Sequence, residues 1–546
     1  MPKLPLPETP SLEQYKKQAK DLLRDCRDGS PAALARLRTH HPDKVHARLA
    51  LTAAQYAIAR EHGFESWPKF VAHIESMRVQ HAVESVADPV AAFLKAACVS
   101  IDGSSHTCGK IDEAEAILSR YPSVALATIY TAAVLADESA VREFLDADAD
   151  MAITSGGPYQ WDALTHLCFS RYLRIDRSRS DAFVKTARAL LDAGASPNTG
   201  WYTTWQGQRE FESVIYGAAG VAQHPELTRV LLEYGADPND GETCYHAPES
   251  YDNSVTKILL ESGKLNDRSR TWILVRKADW HDFEGIKLAL DNGADPNAIP
   301  RWGYSGLQHA VQRDNSIEVI RLLLDRGADP LLGNARDGRS AAVMAARRGR
   351  ADVLNLLRER GVDPHFAGFD QLIAECALGN GPATQSVLKE EPWLLQDLLD
   401  EGGALLSQYS GVGNREGVKC LLDLKVPVDE LYAGDGYFDI ARNSTALHVA
   451  AWRGWPQTMK LLIERGANVN AIDGAGRTPL QCAVRACTDS YWVNRRSPDW
   501  IAVLLDGGAI LDGVEIPCGY DAADQLLMRA SKGTGIEGNL GPGAEG

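Results

Sequence analysis

A recurring phrase of apolar and turn-forming residues sets the pattern of this sequence. It consists of Leu-Leu, two variable residues, Gly, a small residue and then Asp-Pro-Asn, with near copies ending at 194–198, 235–239, 293–297, 327–330, 361–364 and 466–470. Paired leucines at the end of an amphipathic segment predict a helix with one apolar face. The glycine predicts the left-handed residue that ends this helix, and Asp-Pro-Asn predicts a turn.

A second phrase precedes the first and predicts another helix. Its clearest copies are Thr-Ala-Leu-His at 445–448 and Thr-Pro-Leu-Gln at 478–481. Threonine is a favoured N-cap, and proline suits the first turn of a helix. Gly293, Gly327 and Gly361 follow one another at intervals of about 34 residues, which is close to the period of about 33 residues of one class of helical repeat.

Together the two phrases resemble the ankyrin-repeat family, and the resemblance covers residues 85–530. It implies an all-α ankyrin-repeat solenoid of about 11–12 helix–turn–helix units with inserted loops. In such an array the first helices and the turns line a concave side that binds partners. The repeats are least regular before residue 160 and between residues 368 and 430, where the turn phrase fades.

The two ends of the chain lack the repeat phrases. Residues 1–80 predict four short helices, which begin at Ser11, at Ser30-Pro31, at Thr52 and at Ser66-Trp67-Pro68. Residues 53–68 resemble the N-terminal helical region of bacterial ankyrin-repeat proteins, which implies a cap over the apolar face of the first repeat. Residues 531–546 are rich in glycine and poor in apolar side chains, which predicts a disordered tail.

Composition and charge exclude several functional classes. Apolar residues make up 45% and charged residues 24% of the 546 residues, as is typical of a folded protein. A net charge of -16 argues against general binding to nucleic acid or to anionic membranes. Residues 1–10 lack an apolar signal segment and no run of about 18 apolar residues occurs, so we expect a cytoplasmic protein that does not enter the membrane.

No metal or cofactor is predicted. The ten cysteines are scattered and form no Cys-x-x-Cys pair, which predicts buried, reduced thiols. His40, His41 and His246 lack companion ligands at zinc-like spacing, and no phosphate-binding loop with Gly-Lys-[Ser/Thr] occurs. His448 occupies the histidine position of the second phrase, and we expect it to bond the backbone of an adjacent turn.

Aromatic residues stand in several predicted turns and insertions, and they are the candidate binding residues. Large rigid side chains at projecting positions bury much area at little entropic cost, as hot spots do. The predicted set is Tyr159, Trp161, Trp201, Tyr202, Trp205, Tyr245, Trp302, Tyr304, Tyr437, Phe438, Trp452, Tyr491 and Trp492, with Trp500 placed in the same insertion as Tyr491. Nearby arginines that could receive an acidic ligand are Arg301, Arg339, Arg442, Arg453, Arg477, Arg495 and Arg496. Alternatively, each aromatic folds back on the repeats.

The sequence favours a non-enzymatic scaffold that binds a protein or peptide partner, and it leaves a homo-oligomer open. The alternative is a pocket, built by the insertions, for a small molecule or a modified peptide, with Asp162, His166 and His309 as acid–base residues. Cys168 follows His166, and such a pair could act as nucleophile and base if the fold brought them within hydrogen-bond reach. An enclosed cavity where these residues converge would favour the alternative.

Overall fold

The computed structural model describes residues 4–7, 10–40, 51–84, 86–100, 111–205 and 207–533. The chain divides into two compact units, Met1–Ile273 (unit 1) and Leu274–Gly546 (unit 2). From residue 534 onwards the predicted disordered tail lies outside the described residues. Residues 531–533, the first three of that predicted tail, are helical because the last helix spans Asp521–Gly533.

Unit 1 begins with four helices that share a core of their own. They are α1 (Leu12–Arg27), α2 (Pro31–His40), α3 (Leu51–Glu61) and α4 (Trp67–Glu84). The Ser11 hydroxyl accepts a hydrogen bond of 3.3 Å from the Gln14 amide, which confirms the predicted start of α1. Thr52 lies inside α3 and is not its N-cap, because Leu51 is already helical. The shared core contains Leu22, Leu37, Ile58 and Phe70. Whether this bundle caps the repeats stays a prediction.

The rest of unit 1 is a succession of helix pairs. Its helices are α5 (Pro89–Ala97), α6 (Asp112–Arg120), α7 (Ile129–Val134), α8 (Glu138–Ala147), α9 (Ala163–Cys168), α10 (Arg171–Ile175), α11 (Ser180–Asp192), α12 (Val214–Tyr216), α13 (Pro225–Glu233), α14 (Thr243–His246) and α15 (Ser254–Glu261). The first helices of successive pairs, α5, α7, α9, α12 and α14, pack on one another, and we call them the first-helix row of unit 1. The second helices form a parallel row of their own.

Unit 2 repeats this arrangement. Helix α16 (Asp267–Asp279) contains the boundary between the units, and unit 2 continues with α17 (Phe283–Asp291), α18 (Gly306–Gln312), α19 (Ile317–Asp325), α20 (Ala341–Arg348), α21 (Ala351–Glu359), α22 (Gly368–Ala377), α23 (Gly381–Glu390), α24 (Leu394–Asp400), α25 (Gly402–Gly411), α26 (Arg415–Asp423), α27 (Ala446–Arg453), α28 (Pro456–Glu464), α29 (Pro479–Thr488), α30 (Asp499–Asp506) and α31 (Asp521–Gly533). Its first-helix row contains α18, α20, α25, α27 and α29. The described residues thus contain twelve helix pairs, in agreement with the predicted all-α repeat fold.

The Asp-Pro-Asn turns connect each repeat to the next. The Asp295 carboxylate accepts from the Asn297 amide at 2.8 Å and so closes the turn. The Asn297 side chain then donates to the Gly327 carbonyl at 2.9 Å and accepts from the Asp329 amide at 2.7 Å. Asn198, Asn239 and Asn470 bond the following turn in the same way. Asparagine therefore serves this phrase because its amide group can donate to and accept from a neighbouring backbone at once.

A left-handed residue joins the two helices of most pairs. Glycine occupies this position after α20, α22, α25 and α27, with φ of 73° at both Gly349 and Gly454. His281 and Asp314 occupy it after α16 and α18, with φ of 52° and 53°. Residues other than glycine are strained in this conformation, which makes His281 and Asp314 informative departures.

The irregular segment 368–411 changes how the first-helix row of unit 2 is stacked. The Tyr409 hydroxyl of α25 lies 2.8 Å from the carbonyl oxygens of both Ala346 in α20 and Ile373 in α22. The Asn414 amide likewise donates to Gly349 and to Ala377 at 2.7 Å. Helix α25 therefore packs directly on α20 as well as on α22, which brings the carboxyl end of α27 near those of α18 and α20.

One predicted turn of unit 1 is a β-hairpin. Strands β1 (Gly200–Trp205) and β2 (Gln208–Ser213) pair in antiparallel register, with Trp201 opposite Glu212. The all-helical prediction allowed only an enlarged turn here. The run Trp-Tyr-Thr-Thr-Trp in β1 consists of aromatic and β-branched residues, which favour extended backbone.

Candidate binding site

An ion cluster lies at the carboxyl ends of the first helices of unit 2. Arg348 donates two hydrogen bonds of 2.7 Å to the Asp314 carboxylate, and Arg453 Nη1 lies 3.2 Å from the same group. Only 4% of the Asp314 side chain is exposed. Burial alone would raise the pKa of Asp314, but Arg348 and Arg453 outweigh it and hold the pKa at about 2.

Asp279 anchors a second part of this cluster. Its carboxylate accepts hydrogen bonds from His309 Nε2 at 2.8 Å, Arg313 Nε at 2.9 Å and Arg276 Nη1 at 2.5 Å. Burial opposes ionisation, yet these three partners lower the pKa of Asp279 to about 2. We call Asp279, Arg313, Asp314, Arg348 and Arg453 the ion cluster.

The inserted loop at residues 432–444 places two predicted binding residues on this cluster. The Tyr437 hydroxyl donates to the Asp279 carbonyl at 2.6 Å, and its ring centre lies 3.7 Å from the guanidinium carbon of Arg313. The Phe438 ring is buried, with the Arg453 guanidinium carbon 4.0 Å from its centre. Both aromatics therefore contact the chain's own first-helix row.

The insertion between α29 and α30 covers the same region. Trp492 packs on Trp452 with ring centres 5.3 Å apart, and its indole N–H donates to the Trp452 carbonyl at 2.7 Å. The Trp452 indole in turn donates to the Phe438 carbonyl at 2.6 Å. Tyr491 is 56% exposed, with its ring 6.0 Å from that of His281. The placement of Trp500 in this insertion is wrong, because it lies in α30 and is buried by packing there.

Trp302 and Tyr304 lie in the turn before α18, and arginines flank both rings. Trp302 stacks on His309 with ring centres 5.3 Å apart, and Arg276 lies 5.5 Å from its ring. The Arg336 guanidinium lies 5.1 Å from the centre of the Tyr304 ring. Both side chains are half-buried, so part of each ring faces solvent.

In unit 1 the predicted aromatics form a continuous row across the first helices. Ring centres are separated by 4.6 Å from Tyr159 to Trp161 and by 5.2 Å from Trp161 to Trp201. The row continues over the neighbouring turns and helices through Phe169, Tyr216, His246, Tyr245 and Trp272. Trp161 and Trp201 are buried, whereas Tyr159 and Tyr245 are half-buried. We call these rings the aromatic row.

Carboxylates surround the distal part of the aromatic row. His246 lies 3.2 Å from Glu242 and 3.1 Å from Glu249, and although burial opposes it, these partners raise the pKa of His246 to about 9. Burial and the charge of Glu242 raise the pKa of Glu212 to about 8. The end of the aromatic row in unit 1 is therefore an acidic environment.

Among the predicted aromatics of unit 1 whose side chains the structure describes, the hairpin carries the most exposed one. Tyr202 is 54% exposed, and the Arg209 guanidinium lies 3.7 Å from its ring centre. The ring also packs on Phe211 at 5.0 Å. Trp205 ends β1, and its side chain lies outside the described residues.

The proposed acid–base residues have structural partners. Asp162 caps α9 through the Thr165 amide at 2.8 Å and accepts from the Thr199 hydroxyl. His166 is fully buried, bonds the Asp162 carbonyl at 2.9 Å, and has its pKa lowered to about 4 by burial. His309 belongs to unit 2 and donates to Asp279. Burial raises the pKa of the Cys168 thiol, which disfavours a nucleophilic thiolate.

A cleft of about 460 Å³ opens in unit 2 between α21 and α22. Its walls include Leu354 and Arg358 of α21, Phe366 of the following turn, and Gln371 and Glu375 of α22. The lining contains none of the predicted aromatic or acid–base residues. The cleft therefore gives no support to a pocket formed by the insertions.

The sequence pattern did not indicate Asp279 and Asp314, the acidic members of the ion cluster, or their pairing with its arginines. Arg453 was singled out as a receiver for an acidic ligand, but its side chain is 9% exposed and bonded to Asp314. The available signal was the position after the first helix, where His281 and Asp314 replace glycine. His448 was predicted correctly, because its Nε2 donates to the Arg477 carbonyl of the next turn at 3.0 Å.

Three further predictions concern metals, thiols and membranes. Within the described ranges no group of three or more His, Cys, Asp or Glu side chains is arranged to hold a metal ion. The nine cysteines in the described part of the chain are free, and eight of them are buried. No described helix combines the length and apolarity that crossing a membrane requires.

Comparisons with known proteins match only parts of the chain. Rabankyrin-5 from Mus musculus and from Homo sapiens are each 38% identical over 76 residues, which cover 13% of this chain and 6% of the relative. The chain thus spans a small fraction of these curated relatives. The crystal structure of the human ASB11 ankyrin repeat domain aligns at 20% identity and a TM-score of 0.22, over 50% of this chain and 99% of that domain.

A family model supplies the assignment of the repeats. The model of ankyrin repeats, in three copies, matches residues 274–367 and 406–496. Both segments lie in unit 2 and contain helix pairs described above, and the first segment contains the turns linked by Asn297. These two segments are ankyrin repeats, and the protein has the all-α ankyrin-repeat fold.

Proposed function

We propose that this protein is a non-catalytic scaffold that binds a protein or peptide partner along the aromatic row of unit 1. Ankyrin repeats generally mediate protein–protein interaction, which supports the broad class. The aromatic row is the observation that carries the location, because it crosses successive first helices and its members Tyr159 and Tyr245 are only half-buried, while Tyr202 of the hairpin is exposed. Rigid aromatic side chains held in place before binding lose little entropy when a partner docks.

The acidic surroundings of the row define the chemistry of this partner. Asp240, Glu242 and Glu249 lie around Tyr216 and His246, whereas the buried Glu212 is mostly protonated at neutral pH and adds little charge. Carboxylates attract lysine and arginine, and aromatic faces stabilise the same cations through their quadrupole. We therefore expect the partner to present a basic segment to unit 1.

Affinity capture with the double variant Tyr202→Ala/Tyr245→Ala tests this proposal. We expect the variant to lose partners that the wild-type chain recovers, and a purified partner to bind at least about tenfold more weakly, since hot-spot aromatics contribute ~1–2 kcal/mol each. Trp393→Ala is the control, because this tryptophan is 62% exposed in unit 2 and should leave recovery unchanged. Equal recovery by all three proteins would contradict the location on unit 1.

No observation on the described residues favours acid–base chemistry, so we propose no second function. The cytoplasmic location and the homo-oligomer remain predictions. Light scattering of the purified chain measures the second of these directly.

A further inference from the structure

The 432–444 loop is folded by its own backbone bonds. Tyr432 and Ser444 form one bridge at its base, where the Tyr432 amide donates to the Ser444 carbonyl at 2.9 Å. Asp435 and Ile440 form a second bridge near its tip, with two bonds of 2.9 Å. The loop therefore has backbone bonds of its own in addition to its contacts with the surface beneath it.

The tip of this loop is seated on the first-helix row like a short bound peptide. The Tyr437 hydroxyl bonds the carbonyl of Asp279, which is 158 positions away in sequence. The Arg453 guanidinium stacks on the Phe438 ring. Asp439 pairs with Arg485 of α29 at 2.5 Å. Tyr437 remains 37% exposed whereas Phe438 is buried, so one of the two rings at the tip faces solvent.

Charge complementarity accompanies this fit. Four arginines, Arg276, Arg313, Arg348 and Arg453, face two carboxylates, Asp279 and Asp314, which leaves an excess of two positive charges on the surface. The loop supplies two more carboxylates, Asp435 and Asp439, and Asp435 interacts electrostatically with Arg348 and Arg453. An acidic segment is thus held on a locally basic surface of a chain with net charge -16.

We propose that the ion cluster is a recognition site for a peptide with an aromatic pair flanked by acidic residues, and that the 432–444 loop is an internal occupant which such a partner displaces. The loop's own tip, Asp-Gly-Tyr-Phe-Asp at 435–439, shows the chemistry that the site accepts. This inference rests on the proposed scaffold function and adds a second site, in unit 2, for a partner of opposite charge.

Asp314 pairs directly with both Arg348 and Arg453, so these two arginines have a counter-charge beneath them besides the one that the loop supplies. A tethered loop acts at an effective concentration in the millimolar range, so a free peptide competes poorly in the intact chain. Removing or weakening the loop should therefore expose a site that the wild-type chain conceals.

Fluorescence anisotropy with a labelled synthetic peptide of residues 433–442 tests this inference on the full chain. In one variant residues 433–442 are replaced by a glycine–serine segment of equal length. We expect this variant to bind the peptide at least tenfold more tightly than the wild-type chain does. A peptide with alanine in place of Tyr437 and Phe438 should not bind. Equal affinity for both chains, or no binding by either, would overturn the proposal.

A second variant keeps the test decisive if the first variant does not fold. Tyr437→Ala/Phe438→Ala retains the loop backbone and should also gain peptide binding while its helical circular dichroism stays unchanged. Adding Arg313→Lys to either variant keeps the charge but removes the planar stacking partner, and should weaken the peptide several-fold. If both loop variants lose their helical signal, the loop is a structural element and the proposal is wrong.

This test is independent of the one on unit 1. If the peptide does not bind but partner capture still depends on Tyr202 and Tyr245, only the proposal that the loop is an internal occupant is refuted. Capture that does not depend on those tyrosines refutes only the proposed function.

Discussion

Arg453 binds Asp314 although 139 sequence positions separate them, with Nη1 3.2 Å from Oδ2. Arg348 shares the same carboxylate, so one buried acid holds two guanidinium groups from different repeats. We expect Asp314→Asn to lower the free energy of unfolding by about 3–5 kcal/mol, since it leaves buried cations without a counter-charge. Urea denaturation followed by circular dichroism measures this.

The control for that variant is Asp325→Asn. Asp325 forms an exposed ion pair with Arg360, and 54% of its side chain faces solvent. Such pairs contribute less than about 1 kcal/mol. An equal loss of stability in both variants would mean that the buried cluster has no special role.

Acid should remove the contribution of Asp314. Its pKa is about 2 in the folded chain against 3.8 ordinarily, so this stabilisation is fully present above about pH 4 and is lost as the pH falls towards 2. The difference in stability between the wild-type chain and Asp314→Asn should therefore shrink below pH 4. Urea midpoints of both proteins at pH 7, 4 and 3 measure the trend, and a constant difference would contradict it.

Glu212 should show the opposite dependence. Its pKa is raised from 4.5 to about 8, so its stabilising effect is complete below pH 4.5 and is lost as the pH rises through 8. Glu212→Gln should stabilise the protein by about 3–4 kcal/mol more at pH 9 than at pH 5, since each unit of pKa shift corresponds to ~1.4 kcal/mol. Glu226→Gln is the matched control, because the side chain of Glu226 is 57% exposed. It should leave the free energy of unfolding unchanged at both pH 5 and pH 9.

The turn asparagines should contribute more than ordinary surface amides. Asn297→Ala removes one donor and one acceptor bond to the next turn, and we expect a loss of about 1–2 kcal/mol. Asn292→Ala is the control, because among the described residues its side chain bonds only the Leu288 carbonyl of its own helix. Thermal unfolding of the two variants compares them, and equal midpoints would show that bonds between turns add nothing.

Two left-handed glycines should differ in their tolerance of alanine. A Cβ at Gly454 would collide with the buried Trp500 ring, whereas a Cβ at Gly466 would meet no atom within 4 Å. Both substitutions incur backbone strain of about 1–2 kcal/mol, and Gly454→Ala should cost a further 1–3 kcal/mol or so from overpacking. Denaturation midpoints that follow the reverse order would exclude this explanation.

Local signals sufficed for the repeat fold but not for its irregular parts. The glycine and Asp-Pro-Asn phrase predicts helix ends and turns because each residue acts on its own neighbourhood, as at Gly327 and Asn297. The hairpin at 200–213 was missed because strand pairing depends on two segments that face each other. The packing of α25 on α20 depends on Tyr409, which no periodic pattern distinguishes from other buried tyrosines.

The contacts of the candidate site could not be predicted for the same reason, because they join residues that are far apart in sequence. Aromatic residues in long insertions were predicted to face a partner, which a sequence can suggest by composition alone. Whether Tyr437 instead reaches back to Asp279 depends on the path of the loop over several repeats, and contacts at such separation leave no local trace. The replacement of glycine by Asp314 was visible in the sequence, but its partners were not.

The turn asparagines give the array a direction. The side chain of each one forms hydrogen bonds with the turn that follows it. Asn470, for example, donates to the Gly508 carbonyl and accepts from the Ile510 N–H. Shortening the chain from its carboxyl side would therefore leave the side-chain amide of such an asparagine without its two backbone partners. Shortening from the amino side would instead leave a backbone carbonyl and an N–H of the next turn unpaired, so the two kinds of cut expose different polar groups.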